Sequence, residues 1–207
     1  MYLNVAPVQG EIILFLFLCV ADTHGYLPDE HLNVDFQPDA LLLLGDLKYS
    51  IKNVLRCFPD VPAFGVAGNH DLEEPFAGLP VVNLHGRAVI WNGIKLAGLG
   101  GCLRYKPCSF SWLFWEHEYE KLLAEMPRAD LIISHCAPFG CWQEPPQGGD
   151  RIYHDAHEGS RSLRDYIVNT RPELVIHGHL HQRGLSAIGD TSVRAVYGVE
   201  IVKFPPG

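Results

Sequence analysis

Five short clusters of side chains able to bind divalent metal ions occur along the sequence, and they indicate which chemistry the protein could perform. Their carboxylates, carboxamide and imidazoles belong to Asp22, His24, Asp46, Asn69, His70, Asp71, His135, His177, His179 and His181. Ligands of these types suit hard and borderline metals, among them Mn²⁺, Fe and Zn²⁺. A single such residue usually caps a helix or forms a turn. The prediction of a metal site therefore depends on their joint occurrence.

The spacing of these residues suits a pair of metal ions that hydrolyses phosphate esters. Two metals about 3.5–4 Å apart generate a nucleophile near pH 7 and compensate the charge on the phosphoryl oxygens. Such a pair needs a bridging carboxylate and terminal ligands. The Asp-x-His and Gly-His-x-His patterns each place two ligands on one loop. Gly45, Gly68 and Gly178 directly precede ligands and allow the backbone to turn sharply into the site.

Each cluster begins where an apolar run of strand length ends. Apolar runs without polar alternation are typical of strands covered on both faces, and alternation with helices indicates parallel pairing. We predict strands and helices in alternation: strands over Ile12–Ala21, Ala40–Leu44, Val61–Ala67, Leu131–Ser134 and Leu174–His177, and helices over Leu47–Phe58 and Ser160–Thr170. Because loops converge at the carboxyl ends of parallel strands, we expect one composite site there.

The remaining apolar segments predict antiparallel β structure. Val81–Leu84, Ala88–Trp91 and Ile94–Leu99 are separated by His-Gly and Asn-Gly, which are typical of tight turns. The sequence also predicts a helix over Phe110–Met126 and a closing β meander: Gly184–Ile188, Val193–Tyr197 and Val199–Phe204. Two β-rich halves with flanking helices predict an α/β sandwich.

Length and charge limit the classes of protein to consider. At 207 residues, the chain is expected to form a single domain over residues 1–207, with two small lobes as the alternative. Its formal net charge of −8 argues against stable binding of duplex nucleic acid, but is compatible with a local basic pocket. The apolar run Ile12–Val20 is shorter than the roughly 20 residues of a membrane span and lacks the preceding basic residues of a signal peptide. Six cysteines without a C-x-x-C pair predict free thiols in a reducing cytoplasm.

Five segments, in order, resemble the motifs of the calcineurin-like metallophosphoesterases: Asp22-x-His24, Gly45-Asp46, Gly68-Asn69-His70-Asp71, His135 and Gly178-His179-x-His181. The resemblance implies a two-sheet β-sandwich flanked by helices in four αββα layers. It also implies hydrolysis of a small phosphoester by a metal-bound water. One metal would be held by Asp22, His24, Asp46 and His181, and the other by Asp46, Asn69, His135 and His179, with Asp46 bridging. His70 corresponds to the imidazole that contacts the phosphoryl group and can protonate the leaving oxygen.

Departures from the protein Ser/Thr phosphatases narrow the substrate class. Those enzymes carry Gly-Asp-x-x-Asp-Arg-Gly, whereas here Asp46 is followed by Leu-Lys-Tyr-Ser. The carboxylate that would orient His70 is thus replaced by Tyr49, and the arginine is absent. The chain looks most like small members without a cap domain, which predicts a phosphodiesterase. The alternatives are a phosphomonoesterase and a non-catalytic metal-binding scaffold on the same fold.

Residues near the motifs have several possible roles. Asp71 is expected either to orient His70 or to cap a helix at Glu73. Residues 100–115 and 138–158 are expected to shape specificity. In the first of these loops we interpret Phe110–Trp115 as a hydrophobic anchor, and Arg104 and Lys106 are candidate substrate contacts. Five histidines without a motif are predicted to be surface or structural residues: His31, His85, His117, His154 and His157. His177 is left out of the ligand set because it precedes the glycine of Gly178-His179-x-His181.

Overall fold

The structure is a computed structural model that describes residues 13–106, 112–141 and 157–206. The strands over these ranges are β1 (Phe15–Ala21), β2 (Ala40–Leu43), β3 (Ala63–Gly65), β4 (Val81–Asn83), β5 (Arg87–Trp91), β6 (Ile94–Leu99), β7 (Cys102–Leu103), β8 (Leu113–Phe114), β9 (Leu131–Ser134), β10 (Leu174–His177), β11 (Gly184–Ile188), β12 (Thr191–Ala195) and β13 (Gly198–Phe204). The helices are α1 (Ser50–Cys57), α2 (Glu116–Glu125) and α3 (Arg161–Thr170), with a short 3₁₀ helix over Asp29–Leu32.

Five strands form the first sheet, in the order β13-β1-β2-β3-β4. β1 to β4 run parallel, and β13 is antiparallel to β1 over the whole length of both strands. The central strands β1 and β2 are almost entirely buried, as expected of parallel strands covered on both faces. Their carboxyl ends lie at one edge of the sheet, so the loops that begin with Asp22 and Gly45 leave the sheet side by side.

Six strands form the second sheet, in the order β11-β12-β10-β9-β6-β5. Its four inner strands are parallel, and the two edge strands β11 and β5 pair antiparallel with their neighbours. β9 and β10 lie in the middle of the sheet and are fully buried. The loops that follow them, which carry His135 and His179, therefore also leave the sheet side by side.

The two sheets pack face to face, with helices on both outer faces. Phe17 of β1 lies in a buried cluster with Ile133 of β9, between the sheets. Leu18, the next residue along β1, faces the other way and packs with Val54 of α1. Ile132 likewise faces away from the inter-sheet core, toward α2 and α3. This alternation follows from the two-residue period of a strand, and it confirms the predicted αββα sandwich.

The pairing of several strands differs from the sequence-based expectation. β4 joins the first sheet, parallel to β3, instead of forming an antiparallel set with β5 and β6. The last three strands are not a meander, since β11 and β12 form a hairpin in the second sheet while β13 crosses to the first. In that position β13 covers the backbone groups of β1, which would otherwise form an exposed edge. An apolar pattern specifies that a segment is a strand, but not which edge it covers.

The boundaries of two helices also differ from the prediction. α2 begins at Glu116, because Leu113–Phe114 form the short strand β8 parallel to β7. Residues 107–111, at the start of the predicted helix, lie outside the described residues. α1 begins at Ser50 and not at Leu47, since the preceding residues form a loop of the candidate site. Among the helices that the structure describes, none is long and apolar enough to cross a membrane.

Candidate metal centre

The seven predicted ligands come from loops at the carboxyl ends of strands in both sheets. Asp22 and His24 follow β1, Asp46 follows β2 and Asn69 follows β3, all parallel neighbours in the first sheet. The remaining ligands follow the two central strands of the second sheet: His135 follows β9, and His179 and His181 follow β10. Because the sheets are stacked, the loops meet at one end of the sandwich.

Five of these residues have left-handed backbone conformations that non-glycine residues rarely adopt. Their φ angles are 54° at Asp22, 50° at His24, 55° at Asp46, 69° at His179 and 52° at His181. Such conformations are each unfavourable by about 1–3 kcal/mol, and they persist only where the surrounding structure imposes them. The concentration of this strain at the predicted ligands distinguishes the loops from ordinary turns.

One group of ligand atoms joins the two sheets near the surface. The Nε2 atoms of His24 and His181 lie 3.1 Å apart, and His181 Nε2 lies 3.7 Å from Asp22 Oδ1. The ligand atoms of the three residues all lie within 4.8 Å of one another. Asp22 Oδ1 is buried and has no hydrogen-bond partner in the described part of the chain. An unsatisfied buried carboxylate oxygen facing two imidazole nitrogens fits a bound cation.

A second group lies deeper between the sheets. His135 Nε2 is 3.6 Å from Asp46 Oδ2 and 3.0 Å from Asn69 Oδ1. The rings of His135 and His179 have centroids 5.0 Å apart. His179 Nε2 is buried without a hydrogen-bond partner among the described residues. Ligand atoms of Asp22, Asp46 and His135 all lie within 4.8 Å of one another. By this criterion Asp22 is common to both groups, whereas the resemblance implies that Asp46 is the bridging residue.

Asp46 is held in place by the neighbouring glycine loop. Its Oδ1 accepts a hydrogen bond of 2.7 Å from the backbone N–H of His70. A Cβ atom added to Gly68 would overlap the Asp46 carboxylate, and one added to Gly45 would overlap the backbone of Gly68. The two loops therefore approach so closely that only glycine fits at these positions.

Asp71 has neither of the two roles expected from the sequence. Its Oδ2 accepts backbone N–H groups of Asp46 and Gly68, each at 2.8 Å. Its Oδ1 accepts the N–H of Lys48 at 3.2 Å. No helix begins at Glu73. Asp71 thus joins the loop after β2 to the loop after β3, and it fixes the backbone from which the Asp46 carboxylate projects.

Sequence comparison assigns this arrangement to a family. The profile of the calcineurin-like phosphoesterases matches residues 15–183, a range that contains all seven predicted ligands. The chain belongs to the calcineurin-like phosphoesterase family. It is therefore a metal-dependent phosphoester hydrolase, from a family whose members typically hold a dinuclear metal centre. Among proteins with curated descriptions, no sequence match was found.

Several solved structures share the fold of this phosphoesterase. The protein TT1561 of Thermus thermophilus is 17% identical, with a TM-score of 0.65 and coverage of 90% of each chain. The phosphopantetheinyl hydrolase PptH of Mycobacterium tuberculosis is 14% identical, with a TM-score of 0.58 and coverage of 88% of this chain and 89% of that one. A putative 5'-nucleotidase of Staphylococcus aureus is 16% identical, with a TM-score of 0.55, and the match covers 92% of this chain but 51% of that one. At these identities the likeness shows the fold alone.

The electrostatics of this phosphoesterase fit a cationic cofactor. Burial, together with the neighbouring carboxylate of Asp46, raises the pKa of Asp22 to about 7, although His135 opposes the shift. Burial would lower the pKa of His135, but the carboxylates of Asp46 and Asp22 raise it above its ordinary value. Burial lowers the pKa of His179 well below its ordinary value and also lowers that of His181. The neutral imidazoles of His179 and His181, beside the buried carboxyl groups of Asp22 and Asp46, form a site that a divalent ion would satisfy.

His70 lies next to His24 of the first ligand group. Its ring is 5.5 Å from the ring of His24, edge to face. Burial lowers its pKa, with Lys106, His24 and Lys48 acting in the same direction and Asp46 opposing them. The two lysines thus lie within electrostatic reach of the predicted catalytic imidazole. Lys106 is one of the substrate contacts predicted from the sequence, whereas Lys48 is not.

Two residues outside the motifs form a wall on the His179 side of the centre. The Tyr105 hydroxyl accepts a hydrogen bond of 3.3 Å from Asn69 Nδ2. The His157 ring stacks on His179 at 4.9 Å and meets Tyr105 at 5.2 Å. His157 was predicted to be a surface or structural residue, and the structure places its ring against a predicted ligand. The available signal was its position in the loop over 138–158, of which residues 142–156 lie outside the described residues.

The described part of the aromatic loop serves as an anchor, as we interpreted it from the sequence. The Trp112 indole donates to the carbonyl of Leu72 at 2.8 Å, and the Phe114 ring stacks on Tyr119 at 5.3 Å. Arg104 donates to the Leu113 carbonyl at 2.6 Å and lies 5.4 Å from the centre of the Trp115 ring. Its guanidinium thus supports the loop through these contacts. Lys106 lies beside Tyr105, with its Nζ 4.9 Å from the ring centre.

Proposed function

We propose that this phosphoesterase hydrolyses phosphodiesters, using a dinuclear centre of Mn²⁺, Fe or Zn²⁺ held by the seven predicted ligands. When bound, the ions would supply a nucleophile near neutral pH and positive charge opposite the phosphoryl oxygens. We assign the ligand role to the residues of the two groups and to the residues in direct contact with them: Asp22, His24, Asp46, Asn69, His135, His179 and His181.

We assign His70 the role of general acid at the leaving oxygen. Its side chain is exposed next to His24, so a substrate at the centre could reach it. Burial lowers its pKa, which makes the imidazolium a stronger acid and leaves a smaller fraction of it protonated near pH 7. Within the described residues, the carboxylate of Asp71 does not orient this imidazole, because it bonds to backbone groups instead.

A groove lined by Asp22 supports the diester proposal. Its volume is about 530 Å³, and its lining includes Asp22, Thr23, Arg183, Tyr197 and Val199. A monoester has one organic group, which leaves on hydrolysis. A diester has a second group that stays on the phosphate, and the groove offers space for it next to the centre.

A phosphomonoesterase is the second candidate, and the position of Lys106 favours it. A monoester dianion requires more positive charge around its oxygens than a diester monoanion does. Lys106 contacts the Tyr105 ring and lowers the pKa of His70, so a cation lies near the centre. Arg104, the other candidate cation, is bonded to the Leu113 carbonyl instead.

Turnover of two p-nitrophenyl esters on one preparation tests the choice. With Mn²⁺ supplied, we expect kcat/KM for bis(p-nitrophenyl) phosphate to exceed that for p-nitrophenyl phosphate. The variant Lys106→Gln should lower monoester turnover more than diester turnover, and Lys121→Gln, on the exposed face of α2, is the matched control. A clear monoester preference that Lys106→Gln abolishes would establish the second candidate instead.

We further propose that residues 1–207 act as a single catalytic domain, since one centre takes its side chains from both sheets. The proposed cytoplasmic location has support from the thiols. Among the described residues, Cys19, Cys57, Cys102, Cys136 and Cys141 are unpaired. This fits a reducing compartment.

A further inference from the structure

We propose that the groove beside the metal centre binds the retained arm of the substrate as a nucleotide unit. The base would lie against Tyr26 and Tyr197, and a second phosphate of the same nucleotide would lie against Arg183. This inference rests on the proposed diesterase function, because it names the chemical group on the retained side of the ester.

The shape of the groove suits a small organic group attached to a phosphate at the centre. One wall is the loop after β1, with Tyr26, Leu27 and His31, and the other includes Arg183 and Tyr197. Its volume of about 530 Å³ is within the range of about 300–1,000 Å³ typical of small-molecule sites. Asp22 is part of the lining of the groove, so a molecule bound there would lie next to a phosphoryl group held at the ligands.

Aromatic surface is exposed on both walls of the groove. Tyr26 is 80% exposed and Tyr197 is 42% exposed, so both rings are accessible to a ligand in the groove. The Tyr197 ring also stacks on His181 at 5.1 Å, with 21° between the planes. Tyr197 is therefore in direct contact with a predicted metal ligand. Exposed aromatic rings of this kind bind bases by stacking, regardless of base identity.

The side of the groove at Arg183 is positively charged, although the chain as a whole is acidic. Arg183 Nε lies 3.1 Å from Glu200 Oε1, and Arg194 Nη2 lies 2.8 Å from Glu200 Oε2. Two guanidinium groups thus share one buried carboxylate, which leaves the trio with a net positive charge. The Arg183 side chain is fixed by bonds to the carbonyls of Tyr197 and Val199 at 2.8 and 3.3 Å. A guanidinium fixed in this way is suited to binding a phosphate.

A second depression extends the groove at this positive side. It measures about 450 Å³ and shares Arg183 and Val199 with the groove, while Arg194 and Glu200 line its other part. Arg183 therefore lies where the groove and the second depression meet. In a nucleoside 3',5'-bisphosphate unit, the ribose carries the base and two phosphates. A nucleotide whose first phosphate is at the centre can thus present its base to the tyrosines and its other phosphate to Arg183.

Three diesters with the same leaving group isolate the contribution of the retained arm. They are methyl p-nitrophenyl phosphate, thymidine 5'-(p-nitrophenyl phosphate) and its 3'-phosphorylated derivative. Each releases p-nitrophenolate, so differences in kcat/KM report on the arm. We expect an increase of about tenfold from the methyl to the thymidyl ester, as for one stacked base, and a further increase on 3'-phosphorylation.

Variants of the groove connect these increases to named residues. Tyr26→Leu should bring the thymidyl-to-methyl ratio of kcat/KM toward one, and Arg183→Gln should remove the further gain from the 3'-phosphate. Ile90→Ala is the control for the first, since Ile90 is similarly exposed, at 74%, and lies on the edge strand β5, outside the groove. Arg87→Gln, exposed on the edge strand β5 of the other sheet, is the control for the second.

Calorimetric binding of thymidine 3',5'-bisphosphate provides a readout that is independent of turnover. We expect Tyr26→Leu and Arg183→Gln each to weaken its binding by about tenfold, with both control variants unchanged. Equal kcat/KM for the three diesters, or a thymidyl preference that both groove variants retain, would overturn the assignment of the groove. If no diester is turned over, the diesterase proposal fails, and the bisphosphate titration still decides the nucleotide assignment: loss of binding in the groove variants supports it, and unchanged binding refutes it.

Discussion

Replacement of Asp71 should show how strongly the metal centre depends on a residue that binds no metal. In Asp71→Ala, the backbone N–H groups of Asp46 and Gly68 lose the acceptor that each contacts at 2.8 Å, and Lys48 loses a longer bond of 3.2 Å. Hydrogen bonds to a charged group contribute about 1.5–3 kcal/mol each. Because Asp71 is only partly buried, we take the lower value for the two short bonds, about 3 kcal/mol together. For a chain of this length that corresponds to a decrease in Tm of about 6–12 °C.

The variant Asp71→Asn should have a smaller effect, for a geometric reason. Its single amide oxygen can still accept from Asp46 and Gly68, since both bond to the same atom, Oδ2. Only the Lys48 bond and the negative charge are lost. We expect a destabilisation of about 1 kcal/mol and a decrease in Tm of about 2–4 °C.

Activity should fall further than stability in Asp71→Ala, because the Asp46 carboxylate loses its backbone support. A misplacement of about 1 Å at a reacting centre lowers rates by on the order of 10²-fold. The assay combines thermal denaturation, Mn²⁺ titration and kcat/KM for bis(p-nitrophenyl) phosphate, with Asp60→Ala, an exposed carboxylate on the loop between α1 and β3, as control. If Asp71→Ala keeps the Tm, metal affinity and turnover of the unaltered protein, the proposed role of Asp71 is wrong.

Three further predictions concern Asp46, His70 and the buried His85. Asp46→Asn should abolish turnover and lower the bound metal while circular dichroism stays unchanged, because a neutral amide cannot offset two divalent charges; full turnover with stoichiometric metal would exclude the dinuclear assignment. His70→Ala should retain metal and lose about 10²–10⁴-fold in rate, with a smaller loss for p-nitrophenyl than for alkyl leaving groups; equal losses would indicate charge stabilisation rather than proton donation. His85 Nδ1 accepts the Gly100 N–H at 3.0 Å, and burial lowers the pKa of His85. The neutral His85 side chain therefore contributes fully to the free energy of unfolding above the ordinary pKa of 6.5. That contribution is lost as the pH falls through the lower pKa of the folded state. Urea unfolding between pH 7 and pH 4 should therefore show a steeper decline for the unaltered protein than for His85→Asn, and parallel curves would contradict this.

The sequence was sufficient to predict the family, the layers of the fold and the side chains that converge at one end of the sandwich. Asp22 and His179 illustrate why, since a ligand that closely follows a buried strand is positioned by the strand itself. The position of such a residue in the sequence, directly after a strand, therefore determines where it lies in the fold. The same reasoning did not determine the sheet that β4 and β13 join, because strand pairing depends on contacts between distant segments.

Residues that act through the backbone or across the fold were harder to predict. Asp71 looks like a helix cap in the sequence, and its bonds to two loops depend on left-handed conformations at Asp46 and Lys48. His157 belongs to no motif, and its stacking on His179 is visible only in three dimensions. Neither contact leaves a spacing or a periodicity in the sequence.

The division of the ligands between two sheets has a consequence for the lifetime of the protein. His24 and His181 are 157 positions apart, so an ion held by both would close most of the chain into a loop and connect the two halves of the sandwich. Binding to the native state alone adds about 2.7 kcal/mol to the free energy of unfolding when the free ion is at 100 times its dissociation constant. The fraction of unfolded chains exposed to proteases would then fall about 100-fold. The supply of metal ions would thus regulate the amount of this enzyme as well as its activity, without any dedicated sensor.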